Sequence, residues 1–125
     1  MCPHPYLASR SRGQRAEELA CRHLCDQGLT IVERNYRCPR GEIDLIMNDD
    51  GTLVFVEVRY RRNNIYGDGA ESVNRSKQER LIATALHYLQ THDRERRPTR
   101  FDVVSIAPGN PRERIEWLRD AFQAQ

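Results

Sequence analysis

A chain of 125 residues that is 38% hydrophobic and 30% charged reads as one soluble domain over residues 1–125, with enough apolar content for a single core and no linker or internal repeat. No apolar run approaches membrane-spanning length, and Met1 to Arg12 contain no apolar stretch of the kind a secretory signal needs, so residues 1–11 read as a flexible leading segment of a cytoplasmic protein. The net charge of +2 is too small to argue for nucleic acid by itself, and Cys2, Cys21, Cys25 and Cys38 read as reduced thiols in such a chain.

Ser11 is placed to cap a first helix, with Gln14 at the capping-box position and Gly28 as the stop, giving a helix over roughly Arg12 to Gln27. Its apolar stripe is Ala16, Leu19, Ala20 and Leu24; Glu17 lies on the stripe's margin and is expected to look toward the sheet, while Glu18 points to solvent. Thr30 to Arg37 reads as a strand. Two further strands follow, Gly41-Glu42-Ile43-Asp44-Leu45-Ile46 and Val54-Phe55-Val56-Glu57-Val58-Arg59, joined through Asp50-Gly51. The segment from Tyr60 to Val73, with Asn63, Asn64, Gly67, Asp68 and Gly69, predicts a mobile loop. Asn74 caps a second helix to about Gln90 whose inner face is assigned to Gln78, Leu81, Ile82, Ala85, Leu86 and Leu89, with Lys77 on its flank and His87 and His92 on the surface. Phe101 to Ala107 reads as a strand, and Ile115 to Leu118 as a short last element, strand or helix, with Trp117 over the core.

The acids inside the hairpin carry the most information. A two-residue loop at Asp50-Gly51 sets Asp49 opposite Thr52, which brings Asp44 opposite Glu57 and Glu42 opposite Arg59. The same register gathers Ile43, Leu45, Met47, Val54, Val56 and Val58 on the other face as a core surface. Facing carboxylates with Cβ atoms ~5 Å apart repel each other. One reading is a solvated face with a Glu42–Arg59 ion pair. The sharper one is a site for a hard divalent cation, Mg2+ or Mn2+, which takes carboxylate, backbone oxygen and water and relieves the repulsion.

Among the basic residues Lys77 is the sole lysine and the rest are arginine. Codon usage in a GC-rich genome accounts for most of these. Yet Arg59, Arg61 and Arg62 run straight off the acidic strand and Arg94, Arg96, Arg97 and Arg100 precede the next one, and a basic rim beside a carboxylate pocket suits a polyanion. A zinc site built on Cys21, Cys25 and His23 with Cys2, His4 or Cys38 matches no standard spacing. Asp102 reads as a local ion-pair partner of Arg100.

The order helix, three strands, helix, strand, with an acid on one hairpin strand and Glu-x-basic on the next, resembles the PD-(D/E)XK restriction-endonuclease-like superfamily, which includes Holliday-junction-resolvase-like nucleases. More closely, Gly13-x-x-Ala16-Glu17, Asn35-Tyr36-Arg37, Gly41 to Ile46, Val54 to Arg61, Ser76-Lys77-Gln78, Arg100 to Val104 and Glu116-Trp117 are similar to the YraN family of bacteria, from Gly13 to Phe122. That resemblance implies an α/β fold with a restriction-endonuclease-like αβββαβ core, a mixed central sheet flanked by helices. It implies a metal-dependent nuclease, hydrolysing phosphodiesters of DNA or RNA, with branched or structured DNA ahead of RNA. It also implies metal ligation by Asp44, Glu57, the carbonyl of Val58 and Glu17, and a substrate-holding or water-holding role for Gln78. Arg61, Arg62 and Lys77 would contact nucleic acid. Arg59 stands where the superfamily has lysine, so it can stabilise charge but is no practical base. Ala16 replaces a glycine usual in the family. A binding protein of this fold without turnover, and an interaction module with a vestigial site, are the alternatives; the oligomeric state is open, a dimer included.

Overall fold

The computed structural model describes residues 11–61, 73–92 and 96–124. Helix α1 spans Arg12–Asp26 and is followed by strands β1 (Thr30–Cys38), β2 (Gly41–Asp49) and β3 (Thr52–Tyr60). Helix α2 (Arg75–His92) leads to β4 (Thr99–Ala107) and β5 (Arg114–Phe122). This is the expected αβββαβ order with one added strand, so the last element is a strand. The expected loop over residues 62–72, the leading segment up to residue 10, and Arg62, Arg94, Cys2 and His4 lie outside the described residues.

Local chemistry sets the element ends. The Ser11 side chain accepts from the Gln14 amide while Gln14 reaches back to the Ser11 amide, a complete capping box,. Gly28 adopts φ 102 just past α1, the left-handed conformation that stops a helix without a Cβ penalty. Asn74 Oδ1 accepts from the Lys77 amide at 2.9 Å and caps α2,. Asp50 and Gly51, at φ 51 and φ 95, form a tight turn with both central residues left-handed, and Asp49 pairs with Thr52 as expected,.

The sheet runs in the order β1-β2-β3-β4-β5, antiparallel throughout except where β3 and β4 pair in parallel. Both faces are buried. Against α1 lie Leu45, Met47, Val54, Val56, Val104 and Ile106, packed on Ala16, Ala20 and Leu24. Against α2 lie Tyr36, Ile43, Ile46, Leu53, Phe55 and Phe101, packed on Leu81, Ala85 and Tyr88. The runs Leu45-Ile46-Met47 and Leu53 to Val56 are continuously apolar because no part of them faces water, the pattern of strands covered on both sides.

Four expectations need correction. Ile43 belongs to the α2 face rather than the α1 face, because Asn35, at φ 52, interrupts the alternation of β1 and its neighbour β2 follows. Glu18 is only 5% exposed and lies against Arg34 at 3.1 Å and Arg22 at 3.6 Å, instead of pointing to solvent. Leu86 is 51% exposed; the inner line of α2 is Leu81, Thr84, Ala85 and Tyr88, a stripe rotated by about one residue from the expected one. Cys21 is disulfide-bonded, whereas Cys25 and Cys38 carry thiols.

Candidate functional site

The sheet forks at the acids. The β2–β3 ladder keeps its register from Asp49↔Thr52 to Leu45↔Val56 and ends there. Beyond it β3 continues beside β4 to Tyr60↔Ile106, and β2 continues beside β1 to Gly41. Asp44 and Glu57 are the next residues on the two sides of the opening. They stand close, as the hairpin register requires, but no backbone ladder joins them. Instead the Asp44 side chain takes the amide of Val58 through Oδ2 at 2.8 Å. A carboxylate in the place of a strand partner holds the fork open and satisfies an amide that the separating backbones would leave bare.

Helix α1 contributes Glu17 from one face of the sheet, where its carboxyl lies near Asp44 and Asn35. Helix α2 contributes Lys77 from the other, with Nζ 2.9 Å from Glu57 Oε2. Arg59 Nη1 lies 3.9 Å from the same oxygen. Glu17, Asp44, Glu57, Val58, Arg59 and Lys77 line one recess. Asp44, Glu57 and Lys77 also line a cleft of roughly 560 Å3 that opens toward α2 and is rimmed by Arg37, Glu42 and Arg80.

Most of the residues singled out in sequence therefore meet, with three exceptions. Gln78 does not enter the site: its side-chain Nε2 donates to the Val73 carbonyl at 2.9 Å, and the residue lies beside Arg75, Glu79, Ile82 and Gln123. Rotation of the buried stripe puts Lys77 on the inward line and turns Gln78 away. Glu42 pairs with Arg37 at 3.4 Å rather than with Arg59. Arg61 extends β3 by donating its amide to Ile106 at 2.7 Å. Asn35 and Arg80 were not assigned a place by the sequence. For Asn35 a signal existed, since asparagine is among the few residues that accept a left-handed conformation inside a strand.

Electrostatics follow from the crowding. Burial, then the charge of Glu57, push Asp44 up from 3.8 to about 8; the Val58 amide opposes this. Burial also raises Glu17. Burial and the neighbouring carboxylates thus favour the protonated form of both groups, Asp44 more strongly,. As the side chains lie, no three His, Cys, Asp or Glu among the described residues form a set that could hold an ion. Glu57 is turned onto Lys77, and Asp44 onto the Val58 amide.

The shift has a consequence for stability. A carboxyl raised in the fold binds its proton more tightly there than in the unfolded chain, so its contribution is full below about pH 4 and is lost as pH rises to about 8,. Asp44→Asn keeps an acceptor for the Val58 amide and removes that titration. Thermal melts from pH 4 to pH 9 should show the variant overtaking the wild type as pH rises; parallel curves would mean that Asp44 is not held protonated.

The comparisons with known proteins come to one family. Residues 16–106 match the uncharacterised protein family UPF0102. The chain is 51% identical over 117 residues to a UPF0102 protein of Nitrosococcus oceani, covering 93% of this chain and 94% of that one. It is 50% identical over 118 residues to a UPF0102 protein of Stutzerimonas stutzeri, covering 93% and 98%. Among solved structures it is similar to SfsA of Pyrococcus furiosus in complex with Ca2+, at 13% identity and a TM-score of 0.36 over 86% of this chain and 62% of that one, a likeness too loose to argue from. Matched from the first helix to the fourth strand, and at about half identity over nearly the full length of its relatives, the chain belongs to the UPF0102 family, the YraN family its motifs resemble.

Proposed function

We propose that this protein is a metal-dependent nuclease that hydrolyses phosphodiesters at the fork of the sheet. One observation supports the reading: three carboxyl groups, Glu17, Asp44 and Glu57, from α1, β2 and β3, line one partly buried recess together with Lys77 and Arg59. Such crowding raises the energy of the charged site and is hard to explain as packing alone.

The donors fit a hard divalent cation in kind, being carboxylate oxygens with the Val58 carbonyl, which leaves the strand on the same side as the Val58 amide that points into the fork,. Mg2+ or Mn2+ bound there would activate water and neutralise charge on a phosphate. Asp44 and Glu57 would hold it, with Glu17 beside them, once Asp44 has lost its proton. Lys77 would release Glu57 and turn its ammonium to a phosphate oxygen. Arg59 would donate charge-assisted hydrogen bonds to the same group. Arg37 and Arg80 on the rim suit the flanking phosphates,; Arg61 and Arg62 keep the same proposed part, and DNA is favoured over RNA.

Binding to the native state alone stabilises it by mass action. Millimolar Mn2+ should therefore raise the melting temperature of the wild type and leave that of Asp44→Asn unmoved. An equal rise in both proteins would place the ion elsewhere. The second reading, binding without turnover, draws on the 2.9 Å Lys77–Glu57 pair that competes for the ligand carboxylate; it predicts affinity for DNA with no cleavage in Mn2+.

A further inference from the structure

We infer that Tyr60 is a stacking platform for one unpaired nucleobase next to the scissile phosphate, so that the protein acts on single-stranded or unstacked DNA and not on intact duplex. The inference rests on the nuclease reading above and names its substrate class.

Tyr60 ends β3, three residues after Glu57, and lies against α1. Among the described residues Val32, Tyr60 and Leu86 are the exposed large hydrophobics. Of these Tyr60 alone lines the carboxylate recess. It also lines an adjoining cleft of roughly 480 Å3 with Arg12, Arg15, Ala16, Leu19 and Glu113. That size lies within the range of small-ligand sites. The recess and the cleft thus share one aromatic wall. Three residues of strand span about 10 Å, the reach of a nucleotide or two from the phosphate at Glu57.

The ring already carries a planar cation, the Arg12 guanidinium 5.2 Å from its centroid, within cation–π range. An exposed arginine on an exposed ring is a replaceable cover. A base can take its place on the ring while Arg12 moves to the adjoining phosphate. Arg15, 3.3 Å from Glu113 across the cleft, supplies a second cation on the same wall. Every base has a π-face, so this contact is indifferent to sequence but demands a base freed from its neighbours. A paired duplex presents no such face without unstacking. The competing explanation is that Arg12 on Tyr60 merely fastens the start of α1 to β3.

The test uses the full chain without divalent ions, so that binding is read apart from cleavage. The probes are a fluorescein-labelled single-stranded oligodeoxynucleotide, the matching duplex, and single strands carrying 2-aminopurine at successive positions. Tyr60→Leu, which keeps apolar bulk and loses the aromatic face, should weaken single-strand affinity by about fivefold or more and duplex affinity by less than twofold. Tyr60→Trp should restore it. One 2-aminopurine position should be quenched by wild type and not by Tyr60→Leu. Equal losses on both probes, or a lowered melting temperature with unchanged single-strand affinity, would overturn the inference in favour of the fastening role and leave the nuclease reading intact. A wild type that binds no probe here, and cleaves none once Mn2+ is added, would remove that reading, and the platform with it.

Discussion

Asp102→Ala is expected to cost about 3–5 kcal/mol of folding stability, the loss seen when one partner of a buried, hydrogen-bonded ion pair is removed. Asp102 is wholly buried. Its Oδ1 accepts from Arg100 Nε at 3.0 Å and from the Asp120 amide at 2.9 Å, and its Oδ2 accepts from Trp117 Nε1 at 2.9 Å. Arg100 reaches on to Asp49 at 2.8 Å, at the closed end of the β2–β3 hairpin, and Arg119 meets the same carboxylate at 3.0 Å while lying over the Trp117 ring. One side chain therefore ties β4 to β5 across the irregular step between Phe101 and Val103, and both to the hairpin. Hydrogen bonds from Arg100 hold Asp49 below the usual carboxylate range. Removing Asp102 takes the acceptor from an indole N–H and an amide and leaves Arg100 with Asp49 alone. A domain of this size has about 5–15 kcal/mol in all, so the midpoint in urea should fall steeply; Asp102→Asn, which keeps an acceptor and the shape, should lose roughly half as much. A loss under about 1 kcal/mol for the alanine variant would show that the network is not what joins β5 to the sheet.

That hub marks the limit of what the residues say by themselves. An ion pair between Arg100 and Asp102 was readable from their spacing, and it is present. Its further partners, Trp117, Asp120 and Asp49, come from β5 and the hairpin, and no local pattern announces them. The opposite holds for the hairpin, where Asp50-Gly51 carries its own turn chemistry and fixes the register of every pair down to Leu45↔Val56. The register then failed as a description of faces at one place, Asn35 and Asp44, where a left-handed residue turns the strand and the sheet opens. Helix α2 offered two plausible inner lines of similar apolar content. Packing against Tyr36 and Phe55 selects the one through Leu81, Thr84 and Tyr88, and so decides that Lys77, and not Gln78, enters the site. The acids themselves were legible because charge inside an apolar strand needs a reason. Their meeting with Glu17 depended on which side of the fork α1 covers.

Glu57→Gln is expected to lower Mn2+-dependent cleavage at least about a hundredfold, the scale on which losing one group that stabilises developing charge is felt. The change keeps the shape of the side chain on the α2 side of the fork and keeps an acceptor for Lys77, so the fold should melt within a few degrees of the wild type. Arg59→Lys should stay within about tenfold, a difference of ~1.4 kcal/mol in barrier, because either cation can meet a phosphate oxygen. Lys77→Met separates the two parts proposed for Lys77. It removes the ammonium that holds Glu57 at 2.9 Å, so half-saturation should fall to a lower Mn2+ concentration; it also removes a cation from the phosphate, so the maximal rate should fall. Metal affinity and rate would then move in opposite directions, which damage to the fold does not produce. The substrates are single-stranded, flap, four-way-junction and duplex DNA, each given to wild type and Glu57→Gln in parallel. Equal residual cleavage by both would trace the activity to a contaminant and leave DNA binding as the function of the fork. Cleavage by the wild type alone, with Lys77→Met slower but saturating at less Mn2+, assigns the chemistry to Glu57 and the competition for it to Lys77.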